Sequence, residues 1–280
     1  MRIRAGYQIT YDCPAPTPML LALHVHPSRE ADLEAPEVLR TNPHLPLRHY
    51  RDLFGNVVTR LVAPAGRTEI FGDFVVHDHG RPDPISPDAR QHAIEDLPDE
   101  VLVYLLPSRY CETEHLSNLA LSLFGSTPEG WARVQAIVDY AHRRITFGYE
   151  HARPTKTAFE AHEEQFGVCR DYAHLAIALC RCMNIPARYC TGYLGDIDIP
   201  PLPGPMDFSA WFEVYLDGGW HTFDARHNKP RVGRILMARG RDATDTAIAT
   251  TFGPAFLAGF KVITEGLADQ PAQRLASSAG

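Results

Sequence analysis

Residues 167–194 read GVCRDYAHLAIALCRCMNIPARYCTGYL, and residues 210–226 read AWFEVYLDGGWHTFDAR. In the first stretch Val168, Tyr172, Leu175, Leu179 and Met183 recur at steps of four, three, four and four, the period of a helix. Gly167 precedes the run, Asn184 tolerates a left-handed backbone, and Pro186 stops any continuation. The spacing predicts one apolar helix followed by the strand ARYCTGYL. In the second stretch Asp217–Gly218 is a two-residue turn signal between two alternating runs, which predicts a hairpin with Leu216 opposite Gly219. That register places Trp211 opposite Asp224 and Ser209 opposite Arg226. Because side chains alternate across a strand, Ser209, Trp211, Glu213, Trp220, Thr222 and Asp224 share one face. Ala210, Phe212, Val214, Leu216, Phe223 and Ala225 share the other, which reads as core. Trp211 and Trp220 are candidate walls of a substrate groove.

Outward from this centre, Trp131, Val134, Val138, Ala141 and Ile145 keep helical spacing after a turn at Thr127, Pro128 and Gly130. The first third is different. IRAGYQITYD, MLLALHVHP, NVVTRLVAP and EIFGDFVVHD are short β-type runs with Pro and Gly between them. GRPDPISPDARQHAIEDLPD, residues 80–99, reads as a linker. Helices followed by an antiparallel set argue α+β. The expected organisation is a β-rich, sandwich-like domain over 1–108, a core with a nucleophile helix packed on an antiparallel sheet over 109–268, and a flexible tail over 269–280.

The chain has 280 residues, of which 45% are hydrophobic, enough for a substantial core. Its formal net charge of −7 argues against nucleic acid as a partner, since a phosphate backbone needs a basic stripe. No apolar run reaches the roughly 18 residues of a membrane span. The start lacks the order of a secretory signal, so a cytoplasmic location is expected. Six cysteines include no CxxC pair, which suggests neither a zinc site nor a disulfide framework. His24-x-His26 and His77-x-His79 put imidazoles on one strand face each but have no Cys or carboxylate cluster beside them, and read as exposed strand histidines. GRDATD (240–245) lacks the Lys-Ser/Thr of a phosphate loop, and its Asp242 and Asp245 read as turn formers. No metal and no cofactor is expected; oligomeric state is not legible.

Cys169 falls in the first turn of the predicted helix. Unpaired N–H groups and the macrodipole there favour an anion, and Arg170 adds positive charge, so a depressed thiol pKa is expected. A nucleophilic Cys needs a base and an orienting group.

The Cys helix, the IPAR strand and the aromatic hairpin together resemble the transglutaminase-like superfamily, whose core is related to papain-type cysteine proteases. The resemblance covers about residues 110–265, and more weakly the β-rich region before them. It implies a papain-like core, with Cys169 as nucleophile and Asp224 as orienting acid. It also implies a histidine just before Ala-Trp, where this chain has Ser209. A serine hydroxyl cannot accept a thiol proton at neutral pH as imidazole can. Among the other histidines, His221 has core parity and His174 points about 140° round the helix from Cys169. His227, three residues past Asp224, is the alternative base if the chain bends there. Asp207 shares the face of Ser209 but reads as a solvated strand-end carboxylate.

Two function classes follow. One is an enzyme that acts on a peptide or amide through a Cys169 thioester: with water as acceptor a peptidase or amidase, with an amine a transglutaminase-like acyl transferase, the resemblance to bacterial members favouring hydrolysis. The other is a catalytically degenerate member that keeps the cleft as a binding or scaffolding module.

Overall fold

A computed structural model describes residues 1–200 and 204–267; the tail expected over 269–280 lies outside the described residues. The first third supplies β1 (Arg2–Cys13), β2 (Thr17–Leu21), β3 (Arg40–Asn42), β4 (Arg48–Arg51), β5 (Val57–Ala63) and β6 (Gly66–His77). The short helix α1 (Asp99–Leu102) then leads to α2 (Thr113–Phe124), α3 (Trp131–Arg144), β7 (Thr146–Phe147), α4 (Ala158–Glu164), β8 (Phe166–Gly167) and α5 (Cys169–Cys182). The rest of the described residues form strands: β9 (Ala187–Tyr193), β10 (Ser209–Leu216), β11 (Gly219–Phe223), β12 (Ile235–Gly240), β13 (Ala249–Thr251) and β14 (Phe256–Leu267).

Three four-stranded antiparallel sheets result, in the orders β14-β1-β6-β3, β13-β2-β5-β4 and β11-β10-β9-β12. The first two face each other. Ile3, Ala5, Tyr7 and Ile9 of β1 pack with Met19 and Leu21 of β2 and with Leu61 of β5, as alternation on half-buried strands requires. These sheets amend the division at residue 108. β13 and β14 come from the end of the chain, yet they pair with β2 and β1. Tyr193, Phe208, Ile235 and Met237 join the same core from the second half.

The third sheet carries α5 on one face. Ala210, Phe212, Val214 and Leu216 of β10 meet Leu175, Ala176 and Leu179 of α5, with α2 and α3 closing the cluster. Helix α5 is apolar nearly all round and is buried from Asp171 to Arg181, which makes it the central element. Its end follows the sequence reading. Asn184 takes φ 59°, Ile185 N–H returns to Cys180 O at 2.9 Å, and Pro186 follows. Asn184→Ala therefore costs about 1 kcal/mol, because alanine tolerates left-handed backbone less well than asparagine. An unchanged urea midpoint would count against that assignment.

The hairpin has the expected register. Leu216 faces Gly219, and Asp217 and Gly218 both have positive φ, at 50° and 79°. Pairing stops at Phe212–Phe223, so Asp224 leaves the ladder. The two His-x-His readings are corrected. β2 ends at Leu21, so His24 and His26 do not share a strand face. His24 Nε2 meets Thr59 Oγ1 at 2.9 Å, and His26 Nδ1 accepts from Ser28 N–H at 3.1 Å. Of the second pair only His77 lies on a strand, since β6 ends there. Asp242 forms its turn, accepting Thr244 N–H at 2.8 Å, and also accepts Tyr110 N–H at 2.9 Å.

Candidate active site

The approach to α5 is fixed by a buried lysine. Lys156 donates to Phe166 O at 2.9 Å and pairs with Glu164 at 2.8 Å. Val168 N–H donates to Asp171 Oδ2 at 2.8 Å, capping the helix start from within. Cys169 then occupies the first helical position and is half-buried. The backbone N–H of Ala210, at the start of β10, acts on the Cys169 sulfur and favours the thiolate.

A groove of about 320 Å³ is lined by Phe147, Tyr149, Asp207, Ser209, Arg226 and His227 among others; Cys169 is not in its lining, but Arg226 and Asp207, which are, act on its thiol. Ser209 sits in its wall with the hydroxyl buried and without a hydrogen-bond partner among the described residues. Asp224 is not open to this groove. Its side chain is 1% exposed and is held between Arg234 Nη2, at 2.9 Å from Oδ2, and His227 Nδ1, also at 2.9 Å from Oδ2. His227 N–H donates to Asp224 Oδ1 at 2.9 Å, and Asn228 N–H returns to Asp224 O at 2.8 Å. The chain bends just after β11. Helix α3 pins the bend: His142 Nδ1 meets Ala225 O at 3.1 Å, and Gln135 and Asp139 hold the Asn228 amide.

Burial alone would raise the Asp224 pKa, but the Arg234 cation and the His227 hydrogen bonds outweigh it and hold the carboxyl well below its usual range. An ionised carboxylate only accepts, so His227 Nδ1 carries the proton facing Asp224. The neutral imidazole then has its lone pair on Nε2, the arrangement a general base needs.

The thiol departs from the sequence expectation. Burial pushes the Cys169 pKa up to about 11, opposed by Arg226 and by the Ala210 N–H and reinforced by Asp207 and Asp224. Desolvation of the sulfur outweighs the helix dipole, whose influence is modest. Alkylation of the free protein by iodoacetamide is accordingly slow at pH 7, about 10⁴-fold below its thiolate limit, and rises about tenfold per pH unit. A rate plateau near neutral pH, followed by mass spectrometry of the Cys169 peptide, would contradict this.

Three groups were missed or misread from sequence. Asp207 is half-buried in the groove wall and not a freely solvated strand end: burial raises its pKa, Phe208 N–H donates to Oδ1 at 2.7 Å, and Arg226 pulls the other way. Arg226 lies over the Phe147 ring, 3.8 Å from its centroid, as the foremost cation acting on the thiol. The hairpin register had already set it opposite Ser209, and that was a usable signal. Arg234, ten residues after Asp224, gave none. Trp211 and Trp220 do not wall this groove. Trp211 packs with Cys190 and Leu236, while Trp220 stands edge-on to Tyr104 and Tyr215 under Arg188. Their shared parity carries them to the sheet face away from α5. His221 stands edge-on to Trp131, and His174 stacks on Tyr110, away from the groove.

A family model for the transglutaminase-like superfamily matches residues 117–225, from α2 through Asp224. A solved structure of a candidate cysteine protease from Cytophaga hutchinsonii superposes with a TM-score of 0.83 at 30% identity, covering 96% of this chain and 92% of that one. The chain belongs to the transglutaminase-like superfamily. An uncharacterised Mycobacterium leprae protein, ML0607, is 26% identical over 207 residues, 71% of this chain and 73% of its own length. The periplasmic domain of TgpA from Pseudomonas aeruginosa aligns over 80% of this chain with a TM-score of 0.38 at 14% identity. The match to the superfamily model takes in Cys169, Ser209 and Asp224 and stops short of His227. Among the described residues no helix is long and apolar enough to cross a membrane, and no group of three or more His, Cys, Asp or Glu is placed to hold a metal ion.

Proposed function

We propose that this transglutaminase-like protein is a thiol-dependent amide hydrolase, a peptidase or amidase, with Cys169 as nucleophile. The observation that carries the reading is the Asp224–His227 pair at 2.9 Å, in which buried Asp224 holds an imidazole that lines the same groove as Ser209. The Cytophaga protein, described as a candidate cysteine protease, supports a peptide substrate.

In this reading Cys169 Sγ attacks the amide carbon as its proton passes to His227 Nε2. The Cys169 N–H, free of an intrahelical partner at the first helical position, donates to the developing oxyanion. Collapse breaks the C–N bond, and the imidazolium proton goes to the leaving amine. Water then attacks the thioester, His227 takes its proton, and the carboxylic acid leaves as the thiol is restored. Asp224 keeps His227 in the productive tautomer, and Arg234 keeps Asp224 ionised. The thiol is protonated at rest, so deprotonation has to accompany attack, which puts the weight of catalysis on the base.

Two points favour the degenerate reading instead: Ser209 stands where the resemblance implies a histidine, and burial raises the thiol pKa. The deciding experiment exposes the protein to a panel of peptide anilides and activated peptide esters and follows its intact mass. An acyl adduct on Cys169 that decays with product release is expected. Absence of both adduct and turnover across the panel overturns the hydrolase.

A further inference from the structure

The face of the β11-β10-β9-β12 sheet that turns away from α5 holds a second cavity, of about 240 Å³. Five arginines line it, Arg29, Arg81, Arg231, Arg234 and Arg239, against three carboxylates. Each carboxylate is already engaged. Asp78 takes Arg29 at 3.3 Å, Asp83 takes Arg234 at 2.9 Å, and Glu213 takes Arg188 at 2.6 Å. The guanidinium groups of Arg81 and Arg239 make no ion pair among the described residues. Arg231, 3% exposed, donates Nη2 only to the neutral carbonyl of Gly195, at 2.8 Å, and its buried Nε has no partner among the described residues. Trp211 and Leu236 supply an apolar wall.

The surplus is visible in the neighbours. Burial and then Arg188 push Arg239 below the usual arginine range against the opposing pull of Glu213, and burial and then Arg234 do the same to Arg231 against Asp224 and Asp196. His26 is brought down to about 4 by burial and by the repulsion of Arg239, Arg188 and Arg51. Half-buried cations that repel one another are unfavourable unless an anion joins them. The protein as a whole carries −7, so this is a local excess against the general field.

We infer that this cavity is a binding site for a small multivalent oxyanion, a phosphate group, held by the guanidinium forks of Arg231 and Arg239 with Arg81 at the mouth. Guanidinium matches phosphate geometry with paired N–H donors, and partial burial strengthens each bond. A phosphate group suits the surplus better than a monocarboxylate because one ligand answers two cations. Arg231 lines both this cavity and the groove of the candidate active site, and the anion site holds whether or not the thiol is catalytic. Arg234 is common to both places, since it lines the cavity and grips Asp224.

The test is calorimetric titration of the whole protein with inorganic phosphate, against chloride at matched ionic strength, with tryptophan fluorescence as a second readout through Trp211. Saturable binding with a Kd below ~1 mM is expected, weakened at least about tenfold in Arg239→Gln. That substitution removes no ion pair, so the fold survives it; Arg81→Gln replaces it should it not. Heat that fails to saturate with phosphate, or an affinity unchanged in the variant, overturns the site. An O-phosphoserine peptide titrated in parallel decides between free phosphate and a phosphorylated ligand: tighter binding of the peptide assigns the site to phosphoryl groups on larger partners, and weaker binding to the free ion.

Discussion

His227→Ala is expected to slow acylation of Cys169 by ~10²–10⁴-fold, the usual worth of a positioned general base. The argument rests on the state of the thiol. With its pKa near 11, Cys169 offers almost no resident thiolate at neutral pH, so a proton acceptor has to act during attack. His227 is the imidazole that Asp224 orients, through Nδ1 and through the backbone N–H. Asp224→Asn gives a comparable loss, because an amide can donate to Nδ1 and reverse the tautomer. Both effects belong in the pH-dependence of kcat/KM measured on whichever panel substrate turns over. A His227→Ala protein as fast as the parent would remove His227 from the mechanism. Ser209→His supplies the contrast. It puts an imidazole on β10, next to Ala210, whose backbone N–H acts on the thiol. A parent with no turnover and an active Ser209→His variant would establish the degenerate reading. A parent that turns over and depends on His227 establishes the substitute base.

Arg234→Met is expected to destabilise the fold by about 3–5 kcal/mol, the cost of leaving one partner of a buried pair uncompensated. Arg234 sits between two carboxylates, with Nε on Asp83 and Nη2 on Asp224. Asp224 is buried, and His227 would be its remaining side-chain partner. The sign with pH follows from the direction of the shift. The Asp224 pKa is depressed in the folded protein, so its contribution is present above the ordinary carboxylate value of about 3.9 and is lost as pH falls below it. In the variant, burial no longer has the Arg234 cation against it, and the Asp224 pKa rises. Its deficit is therefore largest at neutral pH and narrows as acid protonates the carboxyl. Urea unfolding at several pH values measures this. A loss under about 1 kcal/mol, or one independent of pH, would show that Arg234 is not the counter-charge of Asp224. Asp224→Asn in the Arg234→Met background should recover part of the loss, since it removes the orphaned charge.

The oxyanion cavity and the candidate site meet at the same guanidinium, so ligand in one place acts on a side chain that supports the other. The arrangement joins distant parts of the chain: Asp83, in the segment before α1, meets Arg234 and through it Asp224, both from the stretch between β11 and β12. Asp83 accepts Arg231 N–H at 2.9 Å as well, so the 80–99 segment is fastened to the site and does not merely link two halves.

What could be read from the residues alone was local. The steps from Val168 to Met183 define α5 because a helix turns every 3.6 residues whatever surrounds it. Asp217–Gly218 sets the hairpin register because two positive φ values there match the strand twist, and alternation then assigns Phe212 and Val214 to the core. The placing of Cys169 at a helix start and of His227 beside a bend after Asp224 followed from the same short-range rules. Tertiary structure decided the rest. It raised the thiol pKa where the helix dipole pointed the other way, because desolvation depends on everything packed round the sulfur. It half-buried Asp207 in the groove wall, turned Asp224 toward an arginine ten residues on, and carried Trp211 and Trp220 to the far face of the sheet. It also returned β13 and β14 to the N-terminal sheets. Backbone period and turn geometry are free energies of neighbouring residues, and a sequence displays them in order. Burial and charge pairing are free energies of residues brought together from anywhere in the chain, and only the folded arrangement says which ones meet.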